Sequence, residues 1–153
     1  MSQLKLKQIK GTTSGSILFL NSSAIASESY SKLNWDFVND KLNIVGDINI
    51  SGSEISSSSN TVDSTTETIA SVPLSSFDAS FFDYVIKKGS NLRSGTVFSC
   101  HDGTNVKYTE TSTIDLGDTS SVELFVDISG SSIRLRATTT SDDWEIKTLI
   151  RSL

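Results

Sequence analysis

The stretch SVELFVDISGSSIRLRATT, Ser121–Thr139, decides the fold class. Val122, Leu124, Val126 and Ile128 alternate with Glu123, Phe125 and Asp127, the period of a strand with one buried face. Gly130-Ser131 suits a type II′ turn with glycine first. That register opposes Ile128 with Ile133, Val126 with Leu135 and Leu124 with Ala137, and leaves Arg134 and Arg136 outside beside Asp127 and Glu123. Directly opposed residues share a face. One register therefore gathers the large aliphatic groups on one side, and a slip of one residue scatters them.

The pattern continues outward. Downstream, Trp144, Ile146, Thr148 and Ile150 alternate with Glu145, Lys147 and Leu149. Upstream, Asp102-Gly103 is a second hairpin signal, which would pair Val97 with Tyr108 and Ser99 with Val106. Phe82, Tyr84 and Ile86 alternate, with Phe81 and Val85 on the opposite side. Strands are predicted near residues 69–74, 81–87, 96–101, 105–112, 122–128, 133–139 and 144–150, and turn signals recur at the spacing of a sandwich. No helical period of useful length appears; Ser75–Ser80 allows one helical turn at most. The expected fold is all-β, an N-terminal β-hairpin stem-like segment followed by an antiparallel β-sandwich, jelly-roll-like.

The N-terminal hairpin is read from KLNWDFVNDKLNIVGDINI, Lys32–Ile50. With Asn39-Asp40 at the tip, Phe37 faces Leu42, Trp35 faces Ile44 and Leu33 faces Gly46. Ile48 and Ile50 extend the apolar face. A lone hairpin cannot cover such a face, so Leu33, Trp35, Phe37, Ile44, Ile48 and Ile50 are candidate oligomer-interface residues. Phe125, an apolar group between Glu123 and Asp127 on a polar face, is another. The expected organisation is 1–52 as an attachment or stem-like β segment, 53–68 (SEISSSSNTVDSTTET) as a Ser/Thr-rich linker, and 69–153 as the sandwich.

Composition narrows the function. Serine and threonine make up roughly 30 % of the chain, well above ordinary usage. The net charge of −5 opposes nucleic-acid binding. Lys5, Lys7 and Lys10 form the nearest approach to a basic cluster and read as a solubilising tail. The single Cys100 leaves no internal disulfide and suggests synthesis in a reducing cytoplasm. Ser16–Leu20 imitates a signal-peptide core but is too short for one, and no run of apolar residues reaches membrane-spanning length.

Enzyme chemistry finds little support. His101, the one histidine, flanks the Asp102-Gly103 turn and reads as a surface residue. Cys100 and His101 are neighbours on one strand, point to opposite faces, and so do not form a catalytic pair. Cys100 alternates with Phe98 and reads as a small packing group. Ser29-Tyr30-Ser31-Lys32 matches the S-x-x-K of penicillin-recognising enzymes without that family's helix or further motifs. The acidic groups Asp36, Asn39, Asp40 and Asp47, Asp115 with Asp118, and Asp142 with Asp143 read as turn residues rather than calcium ligands. The expectation is no catalytic residue, no metal and no cofactor. Tyr30, Phe125 and Tyr108 are candidates for stacking on sugar rings.

Two segments carry a resemblance. Residues 15–50, with a strand after Gly15-Ser16, a serine-rich step to Asn34-Trp35-Asp36 and the NDKLNI hairpin leading to Gly46, resemble stem units of phage virion fibre proteins, in particular marine and cyanobacterial tail fibres. Residues 81–144, with the HDG turn and the DISG hairpin followed by Ile133-Arg134-Leu135, resemble a β-domain of phage structural proteins. The resemblance implies a virion component made in the host bacterial cytoplasm, a homo-oligomer and commonly a trimer, contacting other virion proteins of the tail, neck or capsid. It carries over no catalytic residue. A short fibre or tail or neck appendage is the leading expectation; a capsid-decoration protein and a receptor adhesin for host-surface glycan are the alternatives.

Overall fold

In the computed structural model, which describes residues 16–20, 26–28 and 31–153, all strand pairings are antiparallel. The chain divides into two units, Met1–Gly46 and Asp47–Leu153. In the first, β1 (Leu18–Leu20) pairs with β2 (Ala26–Glu28), and β3 (Leu33–Asp36) with β4 (Lys41–Ile44). The second contains β5 (Ile48–Ile50), β6 (Ser53–Val62), β7 (Thr66–Pro73), β8 (Ala79–Lys88), β9 (Asn91–His101), β10 (Val106–Ser112), β11 (Val122–Ser129), β12 (Ser132–Thr139) and β13 (Trp144–Ser152). The predicted strands from 69–74 to 144–150 correspond to β7 through β13. Lys5, Lys7, Lys10, Ser29 and Tyr30 lie outside the described residues.

The second unit is a β-sandwich. A six-stranded sheet in the order β10-β9-β8-β13-β6-β5 faces a three-stranded sheet in the order β11-β12-β7. The larger sheet buries Val62, Phe82, Tyr84, Ile86, Val97, Trp144, Ile146 and Ile150; the smaller buries Ile69, Val72, Val122, Leu124, Val126, Ile133, Leu135 and Ala137. The β11–β12 hairpin has the expected register, Ile128 on Ile133, Val126 on Leu135 and Leu124 on Ala137. Its turn places Gly130 at φ 58°, the first-position geometry of a type II′ turn. On the solvent side, Arg134 grips Asp127 through two bonds of 2.8 and 2.7 Å, and Arg136 lies over the Phe125 ring at 5.7 Å.

Within the larger sheet, bulk alternates with space. Tyr84 sits between Thr148 and Gly95 in its cross-strand row. Its ring lies where a side chain at position 95 would project, and its hydroxyl donates to Glu110 on β10. Burial, reinforced by that carboxylate, drives the phenol well above the usual tyrosine range.

Three expectations are corrected. The tract 53–68 is not a linker: β6 occupies Ser53–Val62 and pairs with β13 and β5. Its polar inner face is satisfied by hydrogen bonds. A register shift between Leu135 and Arg136 leaves Ile69 as the extra residue of a bulge in β7. The Ile69 carbonyl accepts from Ser58 Oγ and Asn60 Nδ2, both at 2.8 Å. Ser58 Oγ also bonds Thr148 Oγ1 at 2.7 Å. Hydroxyls that compensate backbone groups are tolerated where bare polar groups are not. The unit boundary accordingly falls after Gly46 rather than at residue 52.

The other two corrections concern hairpin registers, and they share a cause. Leu33 pairs with Ile44 and Trp35 with Leu42, which leaves Phe37–Asp40 as the loop. His101 pairs with Val106 and Ser99 with Tyr108, which leaves Asp102–Asn105 as the loop. An aspartate stands at the start of each turn, Asp36 as the last residue of β3 and Asp102 as the first of its loop, with an asparagine three residues later. Asp36 Oδ1 accepts from the amides of Val38 and Asn39 while Oδ2 accepts from Asn39 Nδ2. Asp102 does the same with Thr104 and Asn105. These Asx turns out-compete the two-residue turns expected at Asn39-Asp40 and Asp102-Gly103. Both registers move by an even step, so every apolar residue that remains in a strand keeps its face.

These carboxylates tie stability to pH. Hydrogen bonds from Asn105 and the following amides pull Asp102 from the ordinary 3.8 to about 2. Ser64 lowers Asp142, and Arg134 lowers Asp127. Burial pushes Asp83 upward, but Thr96 and Arg151 outweigh it and leave it lowered. A folded-state value below the unfolded one favours folding above the unfolded value, and that contribution disappears as pH falls through the folded one. The urea midpoint is therefore expected to hold from pH 7 to 5 and to fall steeply between about 4 and about 2. A midpoint flat to pH 2 would contradict these bonds.

Candidate functional site

The sequence candidates separate in space. His101 is not a free surface side chain. Its Nδ1 accepts the Gly103 amide at 2.9 Å, so Nε2 carries the proton and donates to the Phe77 carbonyl at 2.6 Å. The ring staples the β7–β8 connection to the β9–β10 hairpin. Cys100 points the other way and is exposed rather than packed, a correction to its reading as a packing group. The apolar face of β9 lies inward at Val97, which leaves Phe98 and Cys100 outside.

Four of the acidic residues are spent on turns. Asp36 closes its own loop, Thr119 Oγ1 donates to Asp115, Asp118 accepts from Ser120, and Asp142 accepts from Ser64. Among the described residues no group of three or more His, Cys, Asp or Glu is placed to hold a metal ion.

The interface candidates fall on both units. On the β3–β4 hairpin, Leu33 and Trp35 oppose Ile44 and Leu42 on one face, with Trp35 39 %, Leu42 47 % and Ile44 41 % exposed. Phe37 leaves that face for the loop and is 65 % exposed. Ile48 and Ile50 belong to β5 at the edge of the six-stranded sheet. Phe125 is half-buried beneath Arg136. Of the sugar-stacking candidates, Tyr108 is exposed on β10.

A further surface emerges only from the strand order. On the outer face of the six-stranded sheet, Thr109, Phe98, Phe81, Arg151, Ile55 and Ile48 form one row across all its strands. Phe81 and Phe98 meet edge to face at 5.7 Å, and the Arg151 guanidinium lies 4.9 Å above Phe81. Arg151 reaches Asp83 at 3.1 and 3.3 Å, and Thr96 Oγ1 donates to Asp83 at 2.6 Å. Beside this network lies an open groove of about 780 Å³, lined among others by Val85, Phe98, Thr111, Lys147 and Leu149. The outward alternation of Phe81 with Val85 was readable in the sequence. Their placement beside Phe98 and Lys147 needed the order β9-β8-β13.

No family model and no curated protein matches this chain. A structural neighbour is a phage tailspike protein, gp49 of Acinetobacter baumannii bacteriophage Fri1, described as a capsular polysaccharide depolymerase. It is 14 % identical, with a TM-score of 0.40 over 79 % of this chain, which spans only 19 % of that tailspike.

Proposed function

We propose that this chain is a structural, non-enzymatic subunit of a bacteriophage virion, a short fibre or a tail or neck appendage, that trimerises through its N-terminal β segment and displays the sandwich. The observation that carries the reading is the β3–β4 face, where Trp35, Leu42 and Ile44 share one side of a two-stranded sheet and are each more than a third exposed. A two-stranded sheet is marginal alone in water, and contiguous exposed apolar groups mark contact surfaces. Packing the same face of several copies around a symmetry axis buries it. The engagement of both His101 ring nitrogens by backbone groups supports a structural role for that residue.

Sedimentation of the full chain tests this. The wild type is expected to run as a trimer. Trp35→Asp is expected to weaken assembly by at least about 2 kcal/mol per subunit, as for a buried interface aromatic, and to release monomers. A wild-type chain that stays monomeric at micromolar concentration sinks the oligomer. Gold-labelled antibody on intact particles separates tail or neck labelling from uniform labelling of the head, which would favour decoration of the capsid.

A further inference from the structure

The outer face of the six-stranded sheet has an electrostatic character opposite to that of the whole chain. It presents Lys87, Lys107, Lys147 and Arg151 against Asp83 and Glu145, on a chain of net charge −5. Within the groove the two charged groups differ. Asp83 is already held by Arg151 and Thr96. Lys147, between Val85 and Ser59 in its row, makes no hydrogen bond or ion pair among the described residues. An unpaired ammonium thus stands in a concave surface whose apolar parts, Val85, Phe98 and Leu149, are 38 %, 38 % and 47 % exposed.

We infer that this groove binds an acidic oligosaccharide, with a sugar carboxylate on Lys147 and the apolar face of a pyranose ring against Phe98 and Leu149. The groove is open and, like sugar- and small-ligand-binding surfaces, combines apolar walls with a few placed polar groups. Asp83 is fixed in orientation by its two partners and, as a carboxylate with several acceptor sites, retains capacity for a sugar hydroxyl. Thr111 supplies a second hydroxyl at the wall. Charge decides among occupants. A second copy docked through this face in a two-fold manner would set Lys147 and its neighbours against an identical cationic surface. An acidic sugar meets both the charge and the exposed ring. This site is separate from the proposed oligomer face, so either reading can fail alone.

The test is calorimetric titration of the full chain with hexamers of galacturonate, alginate and hyaluronate, with oligomeric sialic acid, and with maltohexaose as the neutral control. At least one acidic oligomer is expected to bind with a Kd below about 1 mM, and maltohexaose to show no heat. Lys147→Ala and Phe98→Ser are each expected to weaken binding about tenfold. Only Lys147→Ala is expected to flatten the salt dependence. Both side chains are exposed, and circular dichroism confirms that the variants remain folded; Thr111→Val, expected to weaken binding severalfold, serves as a milder third variant. The inference is overturned if all four acidic probes fail to bind below about 1 mM, if maltohexaose binds equally well, or if none of the variants changes the affinity. Dissociation of the oligomer by Phe98→Ser would also overturn it, since the face would then be a subunit contact.

Discussion

Gly95→Ala is expected to lower the stability of the sandwich by about 3 kcal/mol, the upper end of the usual cost of overpacking. A Cβ at this position would overlap the Thr111 carbonyl oxygen and stand 2.8 Å from Tyr84 Oη and 2.9 Å from Tyr84 Cζ. The carbonyl is backbone and cannot swing aside. Relief requires both that β10 shift away from β9 and that the Tyr84 ring move, and the second breaks its bond to Glu110. The thermal midpoint should fall by about 10 °C for a domain of this size. Gly130→Ala is the control: its Cβ would meet nothing within 4 Å, and the cost is only that of a left-handed conformation at φ 58°, about 1 kcal/mol. Equal midpoints for the two variants would show that the stacking of Tyr84 beneath Gly95 does not set the cost.

Trp144→Ala is expected to cost more, about 3–5 kcal/mol, the range for removing a buried large aromatic. Trp144 is 2 % exposed and opens β13, the strand that joins β8 to β6 at the centre of the larger sheet. Its indole nitrogen donates to Ser141 Oγ at 2.9 Å, and the Lys88 ammonium lies 5.8 Å from its ring. Lys88 also donates to the Asp142 carbonyl at 2.6 Å. The same loop meets the β6–β7 turn, where Ser64 donates to Asp142 and the Asp143 amide donates to Asp63, each at 2.9 Å from the amide nitrogen. Removing the indole therefore leaves a cavity and loosens the end of the sandwich. Since whole-domain stability is about 5–15 kcal/mol, the variant is expected to be partly unfolded at 37 °C. Urea denaturation followed by circular dichroism measures this; a midpoint within error of wild type would contradict the packing described.

Alternation alone marks seven strands of the sandwich, β7 to β13, and the buried faces of β11, β12 and β13. Val122 through Ile128 and Trp144 through Ile150 carry a period of two that any burying sheet must obey, and glycine before serine at 130 admits the observed turn. The tip registers are set not by the dipeptides Asn39-Asp40 and Asp102-Gly103 but by Asp36 and Asp102, each with the asparagine three residues on. That D-x-x-N spacing was visible and is the signal to read. The even step of the correction explains why the core assignment survived it.

The polar strand β6 was illegible for a different reason. Ser56, Ser58 and Asn60 have no apolar period, and their fitness for a strand depends on a carbonyl exposed by a bulge in β7. The outer groove has the same character. Phe98, Asp83 and Lys147 are scattered along the chain and converge because β8 lies between β9 and β13. Local pattern follows from the geometry of one strand, in which successive side chains point to opposite sides. Which strands become neighbours, which polar groups find partners and which ammonium is left without one are settled by long-range pairing, and a one-dimensional period contains no record of that.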